Sequence, residues 1–280
     1  MNHINSRQII IGDVHGHYRG LMKLLEAIAP GESDKVYFLG DLIDRGPESC
    51  EVIEFVKESR YTSVRGNHEQ MLLDIVSGQN TPPQIVQKWL YSGGQATIDS
   101  YKNSCIPEEH IHWLQSLPNY IDLGDTWLVH AGIHPNIPFL QQNSNQFCWV
   151  RDEFLSIKQP YFSDKQIIIG HTIAFTLPNV EPGQLAQGQG WIDIDTGAYH
   201  PYSGWLTGLD IKNNLVYQFN VITNLSRIRP LKEAVTVVEP EHFDKHQFGK
   251  KITARNDNSN VVKKSQDNKQ PPKRRFKLFF

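Results

Sequence analysis

The chain reads as an α/β protein in which two mixed β-sheets pack face to face with helices outside. Three observations predict this. Short β-branched runs with little polar alternation, such as Gln8–Ile11 and Gln166–Ile169, suit strands covered on both faces. The early runs alternate with apolar residues at helical spacing, as βαβ units do. The later half carries hairpin signals, Gly124-Asp125 and Lys212-Asn213-Asn214, each between two strand-like runs.

The first strand, Gln8–Ile11, stops at Gly12. Leu21, Leu24, Leu25 and Ile28 then mark one face of a helix that Pro30-Gly31 ends. Val36–Leu39 is a second strand and delivers Gly40-Asp41. Pro47 suits a first helical position, and Val52, Ile53 and Val56 give that helix its buried face. Tyr61–Val64 is a third strand, delivering Arg65 to Glu69. The order βαβαβ predicts a parallel sheet with right-handed crossovers. Residues 77–119 read as an irregular helical insertion beside the sheet. Ile85, Val86, Trp89 and Leu90 form one amphipathic face closed by Gly93-Gly94, and Glu108–Leu117 is a further helix stopped by Pro118. Tyr120–Leu123 and Thr126–Val129 form a hairpin that delivers His130. Gln166–Ile169 delivers Gly170-His171, and Trp191–Ile194 delivers Asp195-Thr196-Gly197. Trp205–Ile211 and Leu215–Val221 make the last hairpin, so the later half is expected to be the more antiparallel sheet.

The 280 residues suffice for one large domain and a tail; 39% are hydrophobic and 21% charged, a globular balance with a sizeable core. We place the domain at residues 1–239. From residue 240 apolar periodicity fades, and residues 240–280 read as a disordered basic tail. Its last stretch interleaves Lys273, Arg274, Arg275 and Lys277 with phenylalanines, which could dock an acidic partner; a solubilising end is the plainer reading. A formal net charge of -2 argues against nucleic acid as the whole chain's partner. Cys50, Cys105 and Cys148 are widely spaced and odd in number, which fits a reducing compartment. Residues 1–7 are polar and no apolar run approaches membrane length, so the cytoplasm is the expected location.

Five runs carry the chemistry: Gly12-Asp13-Val14-His15-Gly16, Gly40-Asp41-Leu42-Ile43-Asp44-Arg45-Gly46, Arg65-Gly66-Asn67-His68-Glu69, Val129-His130-Ala131-Gly132 and Ile169-Gly170-His171-Thr172. Most follow a strand-like stretch, so they bring carboxylates, imidazoles and one amide into loops at strand ends. Asp13 and His15, two apart, can face one cation together. The two oxygens of Asp41 can bridge two cations. Asn67 adds a neutral oxygen, and His130 and His171 add imidazole nitrogens. This mixed oxygen and nitrogen set suits Mn²⁺, Fe or Zn²⁺ better than Ca²⁺, and without thiolate it is unlike a structural zinc site. Two such ions about 3.5–4 Å apart lower the pKa of a shared water and hold a phosphoryl oxygen. His68, next to a ligand, is placed to protonate a leaving alkoxide, with Asp44 raising its pKa by hydrogen bonding. Arg45 and Arg65 flank the same loops with guanidinium forks that match phosphate. His3, His110, His112, His242 and His246 read as ordinary core or surface residues, while His17 and His134 sit in the motif loops as rim groups.

Together these runs resemble the phosphoprotein phosphatase family of metallophosphoesterases, whose motifs read GDxHG, GDxxDRG, GNHE, HAG and GH, over residues 8 to 220. The resemblance implies a calcineurin-like metallophosphoesterase fold and two divalent metal ions, usually manganese. Carried across, Asp13, His15 and Asp41 bind one ion, and Asp41, Asn67, His130 and His171 the other. His68 with Asp44 is the acid pair, and Arg45 and Arg151 bind phosphate with Arg65 in support. Ile194-Asp195-Thr196-Gly197-Ala198 and Gly170-His171-Thr172 depart from the eukaryotic pattern toward the bacterial and phage branch. That branch hydrolyses phosphoserine and phosphothreonine in proteins and peptides and often accepts phosphotyrosine. Symmetrical diadenosine tetraphosphate hydrolases are also similar but tend to lack an aspartate at the position of Asp44, so its presence here favours the protein phosphatase. A phosphate-binding scaffold without catalysis is the third reading; it leaves the acid pair without a purpose.

Overall fold

The computed structural model describes residues 6–78, 81–102 and 104–243. Their strands are β1 Gln8–Ile11, β2 Lys35–Phe38, β3 Thr62–Ser63, β4 Tyr120–Asp122, β5 Thr126–Val129, β6 Gln166–Ile169, β7 Leu185–Gly188, β8 Trp191–Asp193, β9 Trp205–Asp210, β10 Leu215–Asn220, β11 Ser226–Pro230 and β12 Val235–Val237. They form two six-stranded mixed sheets, ordered β11-β10-β9-β1-β2-β3 and β12-β7-β8-β6-β5-β4. The expected parallel trio is present, β1 on β2 and β2 on β3.

The isoleucine run of β1 has a physical reason. Ile9 and Ile11 face the helices α1 (Tyr18–Ile28) and α2 (Ser49–Glu58), while Ile10 faces the second sheet among Leu39, Leu128, Ile168 and Ile192. Both faces are dry, so neither tolerates a polar residue. Leu21, Leu24, Leu25 and Ile28 of α1 are buried as their spacing predicts, and so are Val52, Ile53 and Val56 of α2. Helix α2 begins at Ser49, two residues later than Pro47 suggests.

The last hairpin is placed differently from expectation. Strands β9 and β10 pair antiparallel, but β9 then pairs antiparallel with β1, so the hairpin extends the first sheet. The second sheet is itself mixed: β5, β6 and β8 run parallel, β4 runs antiparallel to β5, and β7 runs antiparallel to β8 but parallel to β12.

The insertion is helical as read. After α3 (Asn67–Val76) come α4 (Pro83–Trp89), a π turn at Leu90–Gly94, α5 (Gln95–Ser100) and α6 (Glu108–Ser116). His110 is an ordinary buried residue held by Tyr101 and Glu54. Residues 244–280, most of the expected tail, lie outside the described residues.

Candidate metal centre

Each of the five runs leaves a strand or opens a helix at one end of the sandwich. The first sheet supplies Asp13 and His15 after β1, Asp41 after β2, and Asn67 and His68 in the first turn of α3. The second supplies His130 after β5 and His171 after β6. All seven side chains are buried. Their loops bend sharply: His15, Asp41, Asp44, Arg45 and His171 all have positive φ, between 47° and 72°. Residues other than glycine rarely adopt this conformation, and its cost is of the order of 1–3 kcal/mol each. The packed sheets hold that strain in place and thereby aim the side chains inward.

Glu69 ties the loops together. One oxygen accepts from the N–H groups of Asp41 and Gly66, both at 2.8 Å, and the other from those of Leu42 at 2.8 Å and Ile43 at 3.3 Å. Burial and the neighbouring Asp41 push Glu69 up to about 7, against the pull of those N–H groups. The N-terminus of α3 serves Asp41 as well, since the N–H of His68 donates to its Oδ1 at 3.0 Å. Asp13 accepts from the N–H of His171, 158 residues away, at 3.2 Å. A Cβ at Gly170 would overlap that carboxylate, which is why glycine stands there.

The imidazoles are oriented by backbone carbonyls. His15 Nδ1 donates to Ile43 O at 2.9 Å, and His130 Nδ1 donates to Leu39 O at 2.7 Å. Each therefore presents an unprotonated Nε2 to the cleft. Burial pulls His15, His130 and His171 down; for His15 Arg45 adds to the effect, and for His171 Arg151 does. Neutral imidazoles are the form that binds metal. Burial alone would raise Asp41, but the surrounding histidines, His130 foremost, hold it well below the usual carboxylate range.

The donor set fits cations. Asn67 Oδ1 lies 2.9 Å from His130 Nε2 and 2.8 Å from His171 Nδ1, and His130 Nε2 lies 3.3 Å from Asp41 Oδ1. Ligands about 2.1 Å from one ion stand roughly 3.0–3.4 Å apart at angles near 90–109°. These four donor atoms, with the histidine nitrogens unprotonated, converge as a ligand set for a cation. The second group is more open: His15 Nε2 is 3.6 Å from Asp41 Oδ2 and 4.0 Å from Asp13 Oδ2. A cation already touches it, because Arg45 Nη1 donates to His15 Nε2 at 2.9 Å. That lone pair would also be the ligand to a metal, so Arg45 and a metal at this nitrogen exclude each other.

His68 and Asp44 meet in a buried hydrogen bond. His68 Nδ1 donates to Asp44 Oδ2 at 2.6 Å, and its Nε2 faces Asp41 Oδ2 at 3.9 Å. Burial works against the charged ring, but Asp41 and the Asp44 hydrogen bond outweigh it and raise His68. Of the three arginines, Arg45 borders the cleft and lies 3.8 Å over the ring of Tyr199. Arg151 reaches the same region from the second sheet's side, donating to Thr172 Oγ1 at 2.8 Å and His171 O at 3.3 Å. Arg65 corrects the sequence reading. Its guanidinium donates to the carbonyls of Gln115 and Leu117 and to Gln70, so it braces the end of α6 instead of offering a fork to phosphate.

Sequence reasoning missed Glu69 as a tie and Asp195 as a buried neighbour of the centre, whereas Tyr199, whose place after the Asp195-Thr196-Gly197 turn suggests a cleft residue, does lie under Arg45. Burial pushes Asp195 up to about 6, opposed by the Gly197 N–H and by Arg45. Glu69 was visible as the glutamate three residues after Gly66, the spacing at which a side chain reaches back to a helix start.

Two mixed sheets carrying such a donor set at their strand ends define a metal-dependent phosphoesterase. The calcineurin-like phosphoesterase family matches residues 6–222, and the chain belongs to it. It is 31% identical over 172 residues to serine/threonine-protein phosphatase 1 of Salmonella typhimurium, covering 58% of this chain and 77% of that protein. It is also 36% identical over 130 residues to a symmetrical bis(5'-nucleosyl)-tetraphosphatase of Coxiella burnetii, covering 45% of this chain but only 42% of that protein. Among solved structures it is similar in fold to a protein assigned as a diadenosine tetraphosphatase, with a TM-score of 0.55 and 23% identity over 82% of this chain and 96% of that one.

Proposed function

We propose that the chain is a serine/threonine protein phosphatase of the bacterial type, with dual specificity toward phosphotyrosine left open. The observation that carries this reading is the buried Asp44–His68 pair at 2.6 Å. Asp13, His15 and Asp41 would hold one divalent ion, and Asp41, Asn67, His130 and His171 the other, with manganese the proposed metal. Such ions supply an activated water and a Lewis-acid pull on phosphoryl oxygens. Arg45 and Arg151 hold and orient the phosphate from two sides of the cleft. His68, whose pKa Asp41 and Asp44 raise, would give its Nε2 proton to the departing serine or threonine oxygen. A general acid of this kind contributes about 10²–10⁴-fold.

A second reading, hydrolysis of diadenosine tetraphosphate, is favoured by the Coxiella relative's name and identity. The test is phosphate release by the manganese-loaded protein on a phosphoserine/phosphothreonine peptide, a phosphotyrosine peptide and diadenosine tetraphosphate side by side. Faster turnover of the peptides is expected. A dinucleotide hydrolysed well above every peptide would overturn the proposal. No described helix is long and apolar enough to cross a membrane; the cytoplasm is the location we propose for phosphoprotein substrates to be met.

A further inference from the structure

Asp44 is completely buried, and its carboxylate is held by more than its histidine. Oδ2 accepts from His68 Nδ1 at 2.6 Å and from Trp89 Nε1 at 2.8 Å. Oδ1 accepts from Thr97 Oγ1 at 2.6 Å. The Asp44 N–H donates to Thr97 Oγ1 at 2.9 Å and Ser49 Oγ at 3.0 Å. Trp89 and Thr97 both come from the helical insertion, one at the end of α4 and one in α5. The π turn between them also holds the next residue, with Gly93 O accepting from Arg45 N at 3.1 Å and Ser92 O from Arg45 Nε at 3.3 Å. Gly93 can do this because its φ is 110° and because a Cβ there would press on Arg45 Cγ at 2.6 Å.

We propose that Trp89 and Thr97 are positioning residues for the acid pair: their hydrogen bonds fix the Asp44 carboxylate in the one orientation that holds His68 toward the leaving group. The inference rests on the reading of His68 as general acid. The second torsion of aspartate is soft, so a single hydrogen bond to His68 would leave the carboxylate free to turn. Two donors on one oxygen and a third on the other remove that freedom. An indole N–H only donates, so Trp89 stabilises the acceptor form of the oxygen that His68 shares. An insertion outside the strand-and-loop scaffold thus completes the site, and a displacement of about 1 Å in such a group can cost on the order of 10²-fold in rate.

The experiment uses manganese-loaded full chain and a series of aryl phosphates of rising leaving-group basicity, ending with a phosphoserine peptide. Trp89→Phe keeps the buried ring and removes the N–H; Thr97→Val removes the hydroxyl, and Thr97→Ser restores it. His68→Asn is the control for the acid itself. It should slow the basic leaving groups far more than the activated ones. Trp89→Phe and Thr97→Val should show the same slope in weaker form, roughly 10-fold or more on the peptide and under about 3-fold on the most activated ester, with metal content unchanged. Thr97→Ser should lie near the parent. An equal loss on every substrate, or a loss that follows metal content, would overturn the positioning role while leaving the acid reading intact. A His68→Asn protein with an unchanged slope would bring down the acid reading and this inference with it. Should Trp89→Phe fail to fold, the Thr97 pair decides alone.

Discussion

Replacing Glu69 by glutamine tests whether one carboxylate ties the loops of the centre together. The carboxylate accepts four backbone N–H groups, two on each oxygen. Glutamine keeps one acceptor oxygen and turns an NH₂ toward the other two donors, so two buried N–H groups lose their partner. Each costs about 1–3 kcal/mol, giving roughly 2–6 kcal/mol in all. For a domain of this size each kcal/mol moves the melting temperature by about 2–4 °C, so a loss of about 4 kcal/mol lowers it by about 8–16 °C. Metal affinity should fall as well, because Asp41 and the start of α3 no longer share an anchor. The assay is thermal unfolding of metal-free parent and variant at one pH, followed by manganese titration of both. A melting temperature within about 2 °C of the parent and an unchanged metal affinity would refute the argument.

Two further outcomes are expected. Asp41→Asn should strip metal and activity together, by elemental analysis and phosphate release; a metal-replete, active variant would remove the bridging role. The metal-free protein should also lose stability as pH rises above about 6.5. Burial and neighbouring carboxylates raise Asp13 and Asp193 well above their usual range and Glu69 to about 7, and Asp41 and Asp44 raise His68. A group whose folded pKa is raised contributes stability below its unfolded pKa and loses it as pH passes the folded value. The lowered His15, His130 and His171 act in the opposite sense, but only below about 6.5, where the unfolded ring gains its proton. A melting temperature that rises across this window would contradict the burial of these carboxyls.

The strands were legible because a dry face leaves a local mark: Gln8–Ile11 and Gln166–Ile169 appear in the structure with the bounds their composition suggests. The donors were legible because each sits in a short run with its glycines. What the chain does at long range left no such mark. Nothing in Trp205–Asp210 says that its partner is β1, nearly two hundred residues earlier, so the final hairpin was assigned to the wrong sheet. Arg65 has the composition of a phosphate ligand, but whether a guanidinium faces a cleft or a helix end depends on packing that no local pattern encodes. Trp89 lies on what looks like a plain amphipathic face and does pack in the core; its N–H is the functional part, and only the fold shows that it meets Asp44.

The donors around Asn67 come from both sheets: Asp41 and Asn67 follow strands of the first, His130 and His171 strands of the second. Neither half of the sandwich holds a complete set. The other group, Asp13, His15 and Asp41, follows strands of the first sheet alone, so the two groups differ in what they need from the fold. An ion held by the donors around Asn67 would therefore span both layers of the sandwich, joining strand ends that the chain brings together from far apart in sequence.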